Sequence, residues 1–207
     1  GGTGTVTDVD GNTYKFATIG SQVWLTENLR TTKLRDGSAI QLIDIRYSFW
    51  NEWVNWRNKR LPGYCWYDTD SAKYAQSHGA LYNWYVVESG KLCPEGWHVP
   101  SDKEWDALID FIGNESIGGG MLKEKGTFNW TAPNTGATNS YGFNGLPSGY
   151  LSYRGTTWYM DYDAYWWTAT QDSEESAKYY SATYNSSSVT NSTRWKSLGM
   201  SVRCIKD

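Results

Sequence analysis

The chain has 207 residues and a formal net charge of −3, from 19 Lys and Arg against 22 Asp and Glu. That length suits one large domain or two small ones, and the acidic balance excludes a nucleic-acid partner, whose phosphates need a basic footprint. Leu, Ile, Val and Phe number only 34, a level typical of disorder, but 13 Trp and 16 Tyr supply the large side chains that a disordered chain lacks.

In chain order, Gly1–Gly4 reads as a flexible leader stub and residues 5–207 as a single domain. Residues 5–29 read as a β-meander. Thr5–Val9 alternates, Asp10-Gly11-Asn12 makes a turn, Tyr14–Phe16 returns, and Ile19–Leu25 repeats the theme around Gly20. Asp8 and Asp10 before Gly11 resemble the start of a calcium loop, but the later acidic ligands are missing at their offsets, which favours a hairpin turn. Residues 44–60, with Trp50, Trp53 and Trp56 ahead of Arg57, Lys59 and Arg60, read as an insertion.

Two helices are expected next. Residues 79–89 place Leu81, Trp84, Tyr85 and Glu88 at helical spacing before Gly90. Ser101-Asp102-Lys103-Glu104 is a capping box, followed by Trp105, Leu108, Ile109 and Ile112 on one helical face and a stop at Gly113. After Gly118-Gly119-Gly120 the pattern changes to short strands and long loops. Strands are expected at 165–170, 178–184 and 198–204. Half of the 30 residues from Thr168 to Ser197 are Ser, Thr or Asn, and the interleaved Tyr179, Tyr180, Tyr184 and Trp195 make this a hairpin rather than a low-complexity tail.

Catalytic and metal signatures are weak. Cys65, Cys93 and Cys204 leave one thiol odd whichever pair forms, and no Cys-x-x-Cys offers a zinc site. His78 and His98 belong to no recognisable nucleophile pattern and read as structural. Carboxylates gather at Asp68 and Asp70, at Asp161 and Asp163, and at Asp172, Glu174 and Glu175. Calcium is the one cofactor such loops leave open, and solvated loop charge is the default; no cofactor is expected. No run of 18 apolar residues and no apolar leader is present, so neither a transmembrane segment nor a retained secretory signal is expected.

Ten ordered blocks carry a family resemblance. They begin with 10–15 (DGNTYK), 22–29 (QVWLTENL) and 63–67 (GYCWY), and continue with 79–85 (GALYNWY), 92–100 (LCPEGWHVP) and Glu104-Trp105. The last are 134–139 (NTGATN), Gly142-Phe143, Trp166-Trp167-Thr168 and 201–204 (SVRC). The chain resembles the Fibrobacter succinogenes major paralogous domain family over nearly its whole length, with residues 44–60 as the main departure.

The resemblance implies an α+β, C-type-lectin-like fold related to the formylglycine-generating-enzyme variant, with two helices packed on twisted antiparallel sheets and long loops. It implies an exported protein at the outer membrane surface or outside the cell, commonly a lipoprotein whose anchor would lie outside this chain. It also implies a Cys93–Cys204 disulfide tying the helix layer to the last strand, with Cys65 a buried thiol. The formylglycine-generating relatives need a reactive cysteine pair and copper; Cys93 and Cys204 lie in scaffold blocks, so no enzyme is expected.

The same fold carries the hypervariable binding proteins of diversity-generating retroelements, whose variable residues lie near the C-terminus. The corresponding segment here mixes Tyr with Ser, Thr and Asn, a combination that gives rigid contact area and adaptable hydrogen bonds. A ligand-binding face is therefore expected at Tyr179, Tyr180, Thr183, Tyr184, Asn185, Ser187, Asn191, Thr193, Arg194 and Trp195, recognising a protein or glycan at the cell surface. The alternative is a structural subunit of a surface appendage or envelope assembly. Aromatic sugar stacking without a metal is also open at Trp158, Tyr159, Tyr162 and Tyr165. Tryptophans 24, 66, 84, 97, 105, 166 and 167 are expected to replace the missing aliphatics in the core.

Overall fold

The computed structural model describes residues 2–44, 58 and 60–207. The meander forms as β1 (Thr3–Thr7), β2 (Thr13–Ile19) and β3 (Gln22–Leu25). Thr3 and Gly4, expected in a flexible stub, already pair with Ala17 and Phe16, because β2 is long enough to continue the ladder. Asp8 is spent on the turn: its carboxylate accepts from the Asp10 and Asn12 amides at 2.9 Å and from the Tyr14 hydroxyl at 2.7 Å.

β4 (Gln41–Leu42) runs parallel to β5 (Gly63–Cys65), which pairs with β6 (Leu81–Tyr82). The expected insertion at 44–60 lies almost entirely outside the described residues. Between β5 and β6 stands α1 (Ser71–His78), capped by the Asp70 side chain, which accepts from the Lys73 amide. The helix expected over 79–89 is a two-residue strand followed by a five-residue helix. Gly79 has φ +78° and packs so closely that a Cβ would sit 2.6 Å from the Leu29 carbonyl, so the chain leaves the helical path there. Leu81 and Tyr82 extend as β6, and Asn83 then caps the shorter α2 (Trp84–Glu88).

β7 (Trp97–His98) leads to α3 (Asp102–Ile112), which has the reciprocal Ser101–Glu104 capping box and ends at Gly113. Immediately afterwards, α4 (Glu115–Leu122) takes in the glycine triplet. A Cβ on Gly119 would lie 2.1 Å from the Ser188 carbonyl and one on Gly120 2.3 Å from the Gly136 carbonyl. Here glycine allows two loops to lie on a helix rather than ending one. The described residues thus hold four α-helices where two were expected.

The remaining strands are β8 (Ser148–Leu151), β9 (Thr157–Met160), β10 (Asp163–Gln171), β11 (Ser176–Thr183), β12 (Val189–Trp195) and β13 (Ile205–Lys206). The sheets are ordered β1-β2-β3-β13-β7, β10-β11-β12, β4-β5-β6 and β8-β9. β13 pairs antiparallel with both β3 and β7, which brings the two ends of the described chain into one sheet.

Residues 198–204, expected as a strand, make no ladder because each meets a different neighbour. Gly199 bridges Leu151, Met200 bridges Tyr82 and Ser201 bridges Trp166, while the Val202 and Cys204 carbonyls accept from Leu29 and Leu25. Arg203 is fully buried at this junction. Its guanidinium donates to Asn28 Oδ1 at 2.7 Å, to the Leu25 carbonyl at 3.2 Å, to the Phe143 carbonyl at 2.5 Å and to the Asn144 carbonyl at 2.9 Å. Burial lowers its pKa to about 9. Cys93 and Cys204 form a disulfide 111 residues apart in sequence, and Cys65 is a buried thiol pushed up in pKa by burial and by Asp68.

Tryptophan fills the core as expected. Trp24, Trp84, Trp97, Trp105, Trp166 and Trp167 are buried, and Trp130 joins them. Trp66 is only half-buried and packs at the margin. Trp24, Trp105, Phe143 and Trp166 meet with ring centroids 4.9–5.8 Å apart, mostly edge to face, the geometry that the ring quadrupole favours.

Candidate binding face

Alternation along a strand sends successive side chains to opposite faces, so the register of β10-β11-β12 sorts the expected contact residues. Trp166, Tyr180 and Asn191 lie in one row, and Ala164, Ala182 and Val189 in the next. This face is closed by α3 and α4. Tyr180 stacks on Trp105 at 4.9 Å and donates its hydroxyl to Asp106 Oδ1 at 2.5 Å. Burial, reinforced by Asp106, pushes its phenol well above the usual range. Asn191 donates to Asp102 Oδ1 at 2.7 Å and to the Tyr180 hydroxyl at 3.1 Å. Tyr180 and Asn191 join the sheet to α3.

The β11–β12 turn is also structural. The Ser187 hydroxyl donates to the Ser116 carbonyl, and its own carbonyl accepts from the Gly120 amide. Lys123, fully buried, donates to the carbonyls of Thr135, Thr183 and Ser186 at 2.8–2.9 Å, and burial lowers its pKa to about 8. Ser187 is thereby tied to α4, and Thr183 is held through its backbone. Tyr184 is half-buried, edge-on to Tyr162 at 5.2 Å, with Asn185 exposed beside it.

The opposite face carries Tyr165, Ser181 and Thr190 in one row, Trp167, Tyr179 and Ser192 in the next, and Arg194 opposite Ala177. Trp167 and Tyr179 are buried, with the Trp167 indole donating to the Tyr82 carbonyl. Around that buried patch the face opens. Thr190, Ser192, Thr193, Arg194 and Trp195 are exposed and Tyr165, Ser181 and Thr183 half-buried. Thr193 and Trp195 belong by register to the helix side, opposite Lys178 and Ser176, with Trp195 at the strand's end.

The β8–β9 hairpin extends this open region with residues outside the expected set. Tyr150 packs on Tyr165 at 5.2 Å and stacks on Tyr159 at 6.0 Å. Tyr153 meets Trp195 edge-on at 5.3 Å, and Arg154 lies over the Tyr153 ring at 5.3 Å. Trp158, Tyr159 and Tyr162 are each about half exposed. Tyr159 has φ +64°, an outlier for a bulky side chain, and its neighbour across the hairpin is Gly149 at φ +60°. A Cβ on Gly149 would lie 2.1 Å from the Trp158 carbonyl, so the hairpin holds this strained aromatic only because glycine faces it. Such strain concentrates at functional sites. Its sequence signal was the cluster Trp158, Tyr159, Tyr162 and Tyr165; what local pattern lacked was the docking of β8 beside β10.

Most of the titratable groups named in the sequence are occupied in structural contacts. His98 bonds Glu104 Oε1 at 2.8 Å and Asp207 Oδ1 at 2.6 Å; burial opposes its charge, but these carboxylates outweigh it and raise its pKa. His78 is buried, bonded to the Ser77 hydroxyl, and burial lowers its pKa. Among the carboxylates considered for calcium, Asp68 binds the Thr157 hydroxyl, Asp70 caps α1, Asp163 accepts from Tyr165, Asp172 accepts from Ser176, and Glu174 and Glu175 pair with Arg60. Among the described residues, no group of three or more His, Cys, Asp or Glu is placed to hold a metal ion.

The described residues make an α+β domain of mostly antiparallel sheets, tied by one disulfide and presenting an open polar-aromatic face. The chain belongs to the Fibrobacter succinogenes major domain family, whose model matches residues 17–206. No curated protein and no solved structure matches it. No helix among the described residues is long and apolar enough to cross a membrane.

Proposed function

We propose that the chain is a non-catalytic binding or adhesion module displayed outside the cell, built on a C-type-lectin-like scaffold and recognising a protein or glycan ligand. The observation that carries this reading is the open region made by the β8–β9 hairpin and the outer strands of the β10–β12 sheet. It combines half-exposed Tyr and Trp rings with hydroxyls and an arginine, on strands whose other face is anchored to α3. Rigid support beneath adaptable polar contacts is the physical requirement for recognition without chemistry.

Three further features support the reading. The Cys93–Cys204 disulfide suits an oxidising, extracytoplasmic location and also occupies the two cysteines an oxidase would need free. The remaining thiol is buried with its pKa raised, the opposite of a reactive cysteine. The pairing of β13 with β3 and the disulfide between the last segment and the start of the helix layer suit the proposed scaffold. On this reading the protein requires no cofactor, and membrane attachment as a lipoprotein would come from outside this chain.

The competing reading is a subunit of a surface appendage. It draws on β12, a seven-residue edge strand whose outer side chains are exposed and which could accept a strand from another copy. The deciding experiment combines binding of wild-type protein to host cells and glycan arrays with sedimentation at rising concentration. Tyr159→Ala and Trp195→Ala are expected to lower ligand binding at least tenfold while the protein stays monomeric. Unaltered binding together with concentration-dependent assembly would favour the subunit.

A further inference from the structure

Of the tryptophans expected in the core, Trp66 alone is half-buried, edge-on to Tyr64 at 5.4 Å. It lines a cleft of about 380 Å³ bounded by the β1–β2 turn, by the chain at Arg30 and Thr32, and by α1. That volume lies in the range of small-molecule sites. None of the lining residues belongs to the open region of the β8–β9 hairpin and the β10–β12 sheet.

The polar groups of the cleft fall into two kinds. The two charged ones are already answered inside the protein. Asp10 meets Lys33 at 3.1 Å and accepts from the Thr32 amide and hydroxyl, and Arg30 meets Glu27 at 3.4 Å and donates to the Thr13 carbonyl at 2.7 Å. No lining charge is left to attract an ion or to be stranded by a neutral ligand. The uncharged ones are free: the Trp66 indole N–H, the Ser71 hydroxyl, the Gln76 amide and the Asn12 side-chain carbonyl meet no partner among the described residues. Asn12 is nevertheless fixed, because its Nδ2 donates to Asp8 at 2.9 Å, which lowers the ordering cost of using its oxygen.

We infer that this cleft binds a neutral saccharide, with Trp66 stacking on a sugar ring and Asn12, Ser71 and Gln76 bonding its hydroxyls. A pyranose has one flat C–H face for the indole and a rim of hydroxyls that both donate and accept, as amide and hydroxyl groups do. A flat heteroaromatic ligand would call for a second apolar wall, and the only other apolar group in the lining is the Ala75 methyl. This site is separate from the open region, and its occupancy does not depend on the reading of that face.

The test is calorimetric titration of the full chain. The neutral probes are cellohexaose, mannohexaose, maltohexaose and xylohexaose; oligogalacturonate is the anionic probe and adenosine the flat heteroaromatic. At least one neutral oligomer is expected to bind at least tenfold more tightly than oligogalacturonate and adenosine. Ser71→Ala/Gln76→Ala, both exposed on α1, should weaken that binding about tenfold, as two lost hydrogen bonds would, with melting temperature unchanged. Trp66→Leu should abolish it, and the α1 pair decides alone should that variant fail to fold. Saccharide binding that is unmoved by the α1 pair but lost in Tyr159→Ala would overturn the cleft and leave the open region as the binding face. Oligogalacturonate binding as tightly would overturn the neutral occupant, and adenosine binding as tightly would overturn the saccharide. No binding of any neutral oligomer at millimolar concentration would overturn the inference, whatever the open region binds.

Discussion

The two faces of the β10–β12 sheet are made from the same few residue types, yet they serve different ends. On the helix side, Tyr180 and Asn191 are joined to Asp106 and Asp102 of α3, so hydroxyl and amide groups act as internal fasteners. On the other side, Tyr165, Ser192 and Arg194 surround a small buried patch and remain open. Composition alone does not separate a recognition surface from a hydrogen-bonded core; the presence of an acidic partner on a packed helix does.

That contrast can be broken or sharpened by substitution. The largest effect is expected at the disulfide: Cys93→Ala/Cys204→Ala should lower stability by about 4–5 kcal/mol, the entropy-model value for a loop of this size, read by urea denaturation. On the helix side, Tyr180→Ala should cost about 3–5 kcal/mol, the usual range for deleting a buried aromatic. A cost below about 1 kcal/mol, the level of surface sites, would mean that this face is not closed.

The sharpest comparison uses adjacent residues. Asn191→Ala should cost about 1–3 kcal/mol because it strips hydrogen bonds from partly buried groups, whereas Ser192→Ala should stay within about 0.5 kcal/mol. Equal effects would remove the distinction between the faces.

A pH titration probes α3 itself. His98 has a folded pKa raised above its unfolded value, so its contribution is fully present below the unfolded pKa and is lost as pH rises through the folded value. Stability should therefore decline across the range above neutral histidine's ordinary pKa, and His98→Gln should flatten that segment of the pH–stability curve. The smallest stability change is expected at Arg194→Gln, within about 0.5 kcal/mol, with its effect confined to ligand binding.

Much of the local structure was legible in sequence. The capping box and the period of Trp105, Leu108, Ile109 and Ile112 define α3 with its boundaries, since both signals are local. The meander was legible because turn residues separate alternating runs. Leu81 and Trp84 also show helical spacing, but Gly79 lies against the backbone of residues 28–29, a contact no local pattern displays. The glycine triplet read as a break, and only the loops at Gly136 and Ser188 explain its place inside a helix.

The candidate site divides in the same way. Trp195, Arg194 and Thr193 are exposed, while Tyr179, Tyr180, Asn191 and Ser187 are engaged in packing and hydrogen bonds. Arg154 and Tyr153 lie about 40 residues earlier in the chain, beyond the reach of the hairpin's own pattern.

By itself, then, the sequence determined a folded chain with a tryptophan-rich core, the family to which it belongs, the α3 helix and the cysteine pairing implied by that family. Strand period states that a hairpin has two faces; it does not state which one a helix will cover. That choice was made only when α3 placed Asp102 and Asp106 over one face and the β8–β9 hairpin docked beside the other. Burial depends on neighbours distant in sequence, so tertiary packing decided which tyrosines became fasteners and which aromatics and arginines stayed exposed.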